Sequence, residues 1–200
     1  MPNTRTRRTR VPIAMDDDDD TLTAYHEAGH AVVGYALGAA IEAVELDDGV
    51  SWHDGHIGDG DGDDGGSLPR RFGHCKVNWG RVDASQAGPA ATWQLQRELL
   101  TVLAGPVAEM IYRDEPVHPA LDGPSQGDWA QAWERCREIM PRPAERTRLL
   151  ELLTVQLRRA LERDEWWAAV AAVADELLAH GVLDREQTDE VLGYWIGRLA

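Results

Sequence analysis

The stretch Thr21-Leu-Thr-Ala-Tyr-His26-Glu27-Ala-Gly-His30-Ala-Val-Val-Gly-Tyr-Ala-Leu37 decides how the rest of the chain is read. Leu22, Tyr25, Ala28, Ala31, Val32, Val33, Ala36 and Leu37 cover nearly every side of a 3.6-residue period, which predicts a buried helix. His26 and His30 are four residues apart, so one face of that helix turns both imidazoles towards a single point. Two histidines and a glutamate in a buried helix need partners, because each unpaired polar group there costs roughly 1–3 kcal/mol. A divalent metal ion would satisfy all three together.

Zinc takes neutral imidazole nitrogens readily, and two such ligands leave a tetrahedron open for a third residue and a water. Glu27 follows the first histidine directly, where it can reach that water and accept its proton. His-Glu-x-x-His is the pattern of zinc metallopeptidases. The expected roles are therefore His26 and His30 as Zn2+ ligands and Glu27 as the catalytic base. The plainer alternative is a chance match, with the two histidines simply packed in a core.

A chain of 200 residues suits one domain with tails and can bury a proper core. Its formal net charge of −15 argues against nucleic acid and anionic membrane surfaces as partners. Two cysteines, Cys75 and Cys136, make no disulfide framework, which fits a reducing, cytoplasmic setting. The longest apolar run, Trp166 to Ala174, falls far short of the roughly 20 residues a membrane span needs. The N-terminal arginines are followed by no apolar segment, so no secretory signal is expected.

Residues 1–19 pair a basic cluster (Arg5, Arg7, Arg8, Arg10) with an acidic run (Asp16 to Asp20), and are expected to be disordered. The end of that run has a local use: Asp20 or Thr21 can cap the first helix. The imperfect alternation of Ile41, Val44 and Leu46 predicts a short strand within 39–46. Residues 47–68, rich in Asp and Gly, are expected to form a mobile loop. Their Asp59-Gly-Asp61-Gly-Asp63 spacing approaches a calcium loop, but Asp64 and Arg70 stand where Gly and Glu are required. His53 and His56 have nothing nearby to orient them on a metal. Residues 71–77 read as a second strand, with Cys75 and Val77 on one face and His74 and Lys76 on the other. Such a strand at a sheet edge beside the metal could pair with an extended peptide; an ordinary hairpin partner of the first strand is the equal alternative.

Pro89 is placed to open a helix, and Ala90 to Tyr112 carries a broad apolar face of Trp93, Leu99, Leu100, Leu103, Val107, Met110 and Ile111. Pro106 cannot donate to the Val102 carbonyl, so this helix is expected to kink or restart there. In Gly123-Pro-Ser125-Gln-Gly-Asp128-Trp129, Asp128 offers a third zinc ligand, but Ser125-x-x-Asp128 is also close to a capping-box spacing. Sequence physics leaves these two roles even, with Glu109 as the next candidate ligand. Trp129, Ala132, Trp133, Cys136 and Ile139 are expected on one helix stripe. Three more helices follow at 144–163, 165–180 and 184–199. Leu150, Leu153, Leu157 and Leu161 line one face of the first, and Asp184-Arg-Glu-Gln187 forms a capping box on the last. Trp166, Trp167 and Trp195 read as helix packing, and no phosphate-binding Gly-rich loop occurs.

Taken together, these residues resemble the peptidase domain of FtsH-type AAA+ zinc proteases. Thr-Ala-Tyr-His26-Glu27-Ala-Gly-His30-Ala-Val-Val-Gly is similar to that family's metal helix, and Leu-Leu-Thr-Val-Leu-Ala-Gly-Pro-Val-Ala-Glu109-Met-Ile to its second signature helix. Gly123-Pro-Ser-Gln-Gly-Asp128-Trp-Ala-Gln-Ala resembles the segment whose Asp completes the zinc site. The closing stretch, 177–192, is also similar, so the likeness spans about 21–195. It implies a mainly α fold with a small β-sheet edge over residues 20–200, and it favours Asp128 over Glu109 as ligand. Pro106 departs from the pattern, standing where the family usually has a basic residue, and the acidic loop looks longer than usual. The family also carries an ATPase module and usually transmembrane segments, and neither is found in this chain. The implied activity is therefore ATP-independent hydrolysis of flexible or unfolded polypeptides, alone or beside a separate unfoldase. Self-assembly is a further expectation, although the family's hexameric ring does not carry over automatically. The rival reading is a catalytically silent binding module that keeps its metal.

Overall fold

Helix α1 (Asp19–Ala36) forms the spine against which the other elements pack in this computed structural model, which describes residues 19–47, 72–80, 89–114 and 125–196. Ala28, Ala31 and Val32 are fully buried, as their distribution around the helix predicts, and so is Ala24. The helix begins at Asp19, so Asp20 and Thr21 belong to its first turn instead of its cap position. It stops at Gly38, whose left-handed φ of 89° lets its N–H donate to the Tyr35 carbonyl at 2.9 Å.

The chain then enters β1 (Ala40–Asp47), the middle strand of a three-stranded antiparallel sheet. On one side it pairs with β2 (Phe72–Asn78), setting Val44 opposite Cys75. On the other it pairs with β3 (Val182–Asp184), setting Val44 opposite Leu183. The register slips between Ile41 and Ala43, leaving Glu42 as an extra residue. Its carboxylate accepts bonds from Asn78 Nδ2 at 2.6 Å and Lys76 Nζ at 2.8 Å. Among the described residues β2 is thus the sheet's outer strand on the side away from β3.

Helix α2 (Pro89–Tyr112) opens at Pro89 as its sequence predicts, and crosses α1 at very short range. The crossing depends on Gly29: a β-carbon there would lie 2.6 Å from the Ala104 carbonyl oxygen and 2.8 Å from Ala108 Cβ. The expected restart at Pro106 does not occur, and α2 runs through it as one helix. Leu103, Ala104, Val107 and Ala108 are all fully buried around it, and this packing outweighs the roughly 3 kcal/mol a helical proline costs.

Helix α3 (Ser125–Arg135) buries Trp129 and Ala132 and tightens into a 3-10 turn at Cys136–Glu138. That change of pitch carries Ile139 off the predicted stripe and leaves it 49 % exposed. Helix α4 (Pro143–Leu161) buries Leu150, Leu153, Leu157 and Leu161 as expected. Helix α5 (Asp164–His180) ends at Gly181, and α6 (Arg185–Ile196) closes the described chain. The predicted capping box forms: Gln187 N–H donates to Asp184 Oδ1 and Asp184 N–H to Gln187 Oε1, each at 3.0 Å. Trp166, Trp167 and Trp195 are half-buried against the core, and Tyr25 stacks between Tyr112 and Trp167.

The architecture is mainly α with a small antiparallel sheet. No described helix is long and apolar enough to cross a membrane. Asp19 is already helical and Asp47 already strand; the other expectations for the tail and the acidic loop, its calcium-like spacing and His53 and His56 included, lie outside the described residues.

Candidate metal centre

His26 and His30 leave the same face of α1, and Asp128 reaches them from the first turn of α3. His26 Nε2 lies 3.0 Å from His30 Nε2 and 2.9 Å from Asp128 Oδ2, and His30 Nε2 lies 3.7 Å from that oxygen. These three are the group that could hold a metal ion among the described residues. The capping role considered for Asp128 is not the one it takes. Helix α3 already begins at Ser125, and the carboxylate turns to the imidazoles instead.

The other ring nitrogens fix the chemistry of the convergence. His30 Nδ1 lies 2.7 Å from the Thr101 carbonyl oxygen, which can only accept, so Nδ1 carries the proton and donates it. His26 Nδ1 donates likewise to Glu109 Oε1 at 2.5 Å. Each neutral ring therefore points a bare Nε2 lone pair at the other and at a carboxylate oxygen. Three electron-rich atoms in near contact need a positive charge among them. A proton is one answer: burial opposes it, but bonds to Asp128 and Glu109 outweigh burial and hold the His26 pKa up at about 10. Burial would likewise raise Asp128, yet His26 and then His30 hold its carboxyl well below the usual range.

A divalent ion is the other answer, and the donor set fits it. Ligands about 2.0–2.1 Å from a tetrahedral zinc stand roughly 3.3–3.4 Å apart, and the three observed separations bracket that value. Two imidazoles and a carboxylate also match the ligand types of zinc sites that keep one position open. Glu109, the alternative ligand, is 3 % exposed but stands on the far side of His26, bonded to Nδ1. That is the carboxylate–histidine arrangement that orients a metal ligand.

The cluster opens into a cleft of about 940 Å³ bounded by α1, α2, α3 and the outer strand β2. Glu27, 6 % exposed, lines it beside His26, as do Gly73, Cys75 and Val77 of β2. Burial, reinforced by the Glu27 charge, pushes the Cys75 thiol well up, and its sulfur is not part of the His26–His30–Asp128 group. Sequence reasoning missed the Thr101 carbonyl, a backbone atom with no signature of its own. It also missed the orienting role of Glu109, although it marked that residue. The chain matches no protein-family model, and a search of curated proteins finds no significant match.

Proposed function

We propose that the chain is a zinc-dependent endopeptidase of the FtsH peptidase type, acting on flexible or unfolded polypeptides. The observation that carries this reading is the convergence of His26 Nε2, His30 Nε2 and Asp128 Oδ2 in a cleft that Glu27 also lines. His26, His30 and Asp128 would hold the ion. When bound, zinc supplies Lewis acidity, lowering the pKa of a water to about 7 and polarising a carbonyl.

The remaining work falls to the chain itself. The Glu27 carboxylate takes the proton from the attacking water and passes it to the departing amine nitrogen. Glu109 and the Thr101 carbonyl keep the two rings in the tautomer that leaves Nε2 free. The outer strand β2 borders the cleft and can add an extended substrate as a further strand, backbone to backbone. Such a groove selects unfolded segments over folded ones, which makes a separate unfoldase or self-assembly the natural supplements. Free thiols at Cys75 and Cys136 fit a cytoplasmic setting.

The test is digestion of a permanently unfolded polypeptide by the zinc-loaded chain and by Glu27→Gln. Cleavage by the native chain is expected, with a roughly 10²–10⁴-fold loss in the variant and unchanged metal content. Inertness of both, with metal retained, would replace this reading with that of a binding module.

A further inference from the structure

Gly105 of α2 lies directly against the two imidazoles. A β-carbon at this position would stand 2.5 Å from His30 Nε2, 2.7 Å from His26 Nε2 and 2.7 Å from His30 Cε1. Non-bonded heavy atoms pack at about 3.5–4.0 Å, so one methyl would overlap both convergent nitrogens at once. The rings cannot turn aside easily, because their Nδ1 atoms are bonded to Glu109 and to the Thr101 carbonyl. Glycine inside a helix gives up roughly 0.5–1 kcal/mol relative to alanine, and here it precedes Pro106, a second poor helix former, in a buried segment.

We propose that Gly105 is a positioning residue of the metal centre: its missing β-carbon is the space in which both Nε2 atoms meet the ion, and any larger residue there drives the ion out. This rests on the reading of His26 and His30 as metal ligands.

The test compares Zn2+ and Co2+ titrations of the native chain, Gly105→Ala, and Gly193→Ala as a control. Gly193 lies on α6, where the nearest atom to an added β-carbon is the Tyr35 hydroxyl at an ordinary 3.6 Å. Gly105→Ala should bind at least about a hundredfold more weakly and lose the visible spectrum of tetrahedral Co2+, with Gly193→Ala unchanged. Native-like binding by Gly105→Ala would overturn this assignment alone. A native chain that binds neither ion would overturn the reading beneath it as well.

A stability comparison without metal separates ring contact from misfolding. Gly105→Ala should lower Tm by at least about 4 °C in the native background. In a His26→Ala/His30→Ala background, where the rings are gone, the same substitution should be neutral or stabilising. Equal losses in both backgrounds would mean that the glycine serves something other than the imidazoles, and would overturn the proposal.

Discussion

Replacing Glu109 probes the centre from behind. Its Oε1 accepts the His26 Nδ1 proton at 2.5 Å, both side chains are buried, and its Oε2 has no hydrogen-bond partner among the described residues. Glu109→Ala strands a buried imidazole N–H, at roughly 1–3 kcal/mol, and frees the ring to take the other tautomer. Loss of such an orienting partner lowers metal affinity about 10–100-fold, or roughly 1.4–2.7 kcal/mol. Glu109→Gln keeps an oxygen for Nδ1 but loses the charge and sets an amide where Oε2 already lacks a partner. Its loss should be nearer tenfold. The assay is competition for zinc against a chelator of known affinity, at one pH, with the order native, then Gln, then Ala. Binding by Glu109→Ala as tight as that of the native chain would refute the orienting role. Complete loss in both variants would make Glu109 a direct ligand after all.

Gly73→Ala sets a β-carbon against Glu27, 2.7 Å from its Oε1, and 2.8 Å from Thr23 Cγ2, with none of the three converging atoms among its nearest neighbours. Metal content should stay at one ion per chain while hydrolysis falls about a hundredfold, the usual penalty for displacing a catalytic group by an ångström; equal losses of metal and activity would count against this. Cys75, its pKa raised by burial, should react with iodoacetamide at pH 8.5 at least about tenfold more slowly than free cysteine, since the thiolate is the nucleophile. The rate should climb as pH rises towards the elevated pKa, and a rate matching free cysteine at pH 8.5 would contradict that environment.

Much of the scaffold was legible because its signals are local. The period of α1, the leucines of α4 and the Asp184–Gln187 box each depend on neighbours a few residues away. Strand β3 was not legible. Three residues, Val182 to the capping Asp184, carry no period, and they become a strand only because β1 offers partners there; next to them Leu46 N–H donates to the Gly181 carbonyl at 2.8 Å. The expected restart at Pro106 failed for a similar reason: the proline's cost is local, while the burial that keeps the helix continuous is contributed by other elements.

The site divides along the same line. His26, Glu27 and His30 sit within one helical turn and a fraction, so their spacing alone places them together. Asp128 and Glu109 are separated from them by long stretches of chain; residue spacing left Asp128 between ligand and helix cap and marked Glu109 only as the next candidate ligand, and it took the family resemblance to favour Asp128. Only the packing of α2 and α3 on α1 sends one carboxylate to Nε2 and the other to Nδ1.

The central claim is that one divalent ion is held jointly by two segments far apart in sequence. Zinc titration of the metal-free native chain beside Asp128→Asn tests it most directly. One ion per chain is predicted for the native protein, with affinity at least about a hundredfold weaker in the variant. Absence of binding by the native chain, or equal binding by both, would contradict it.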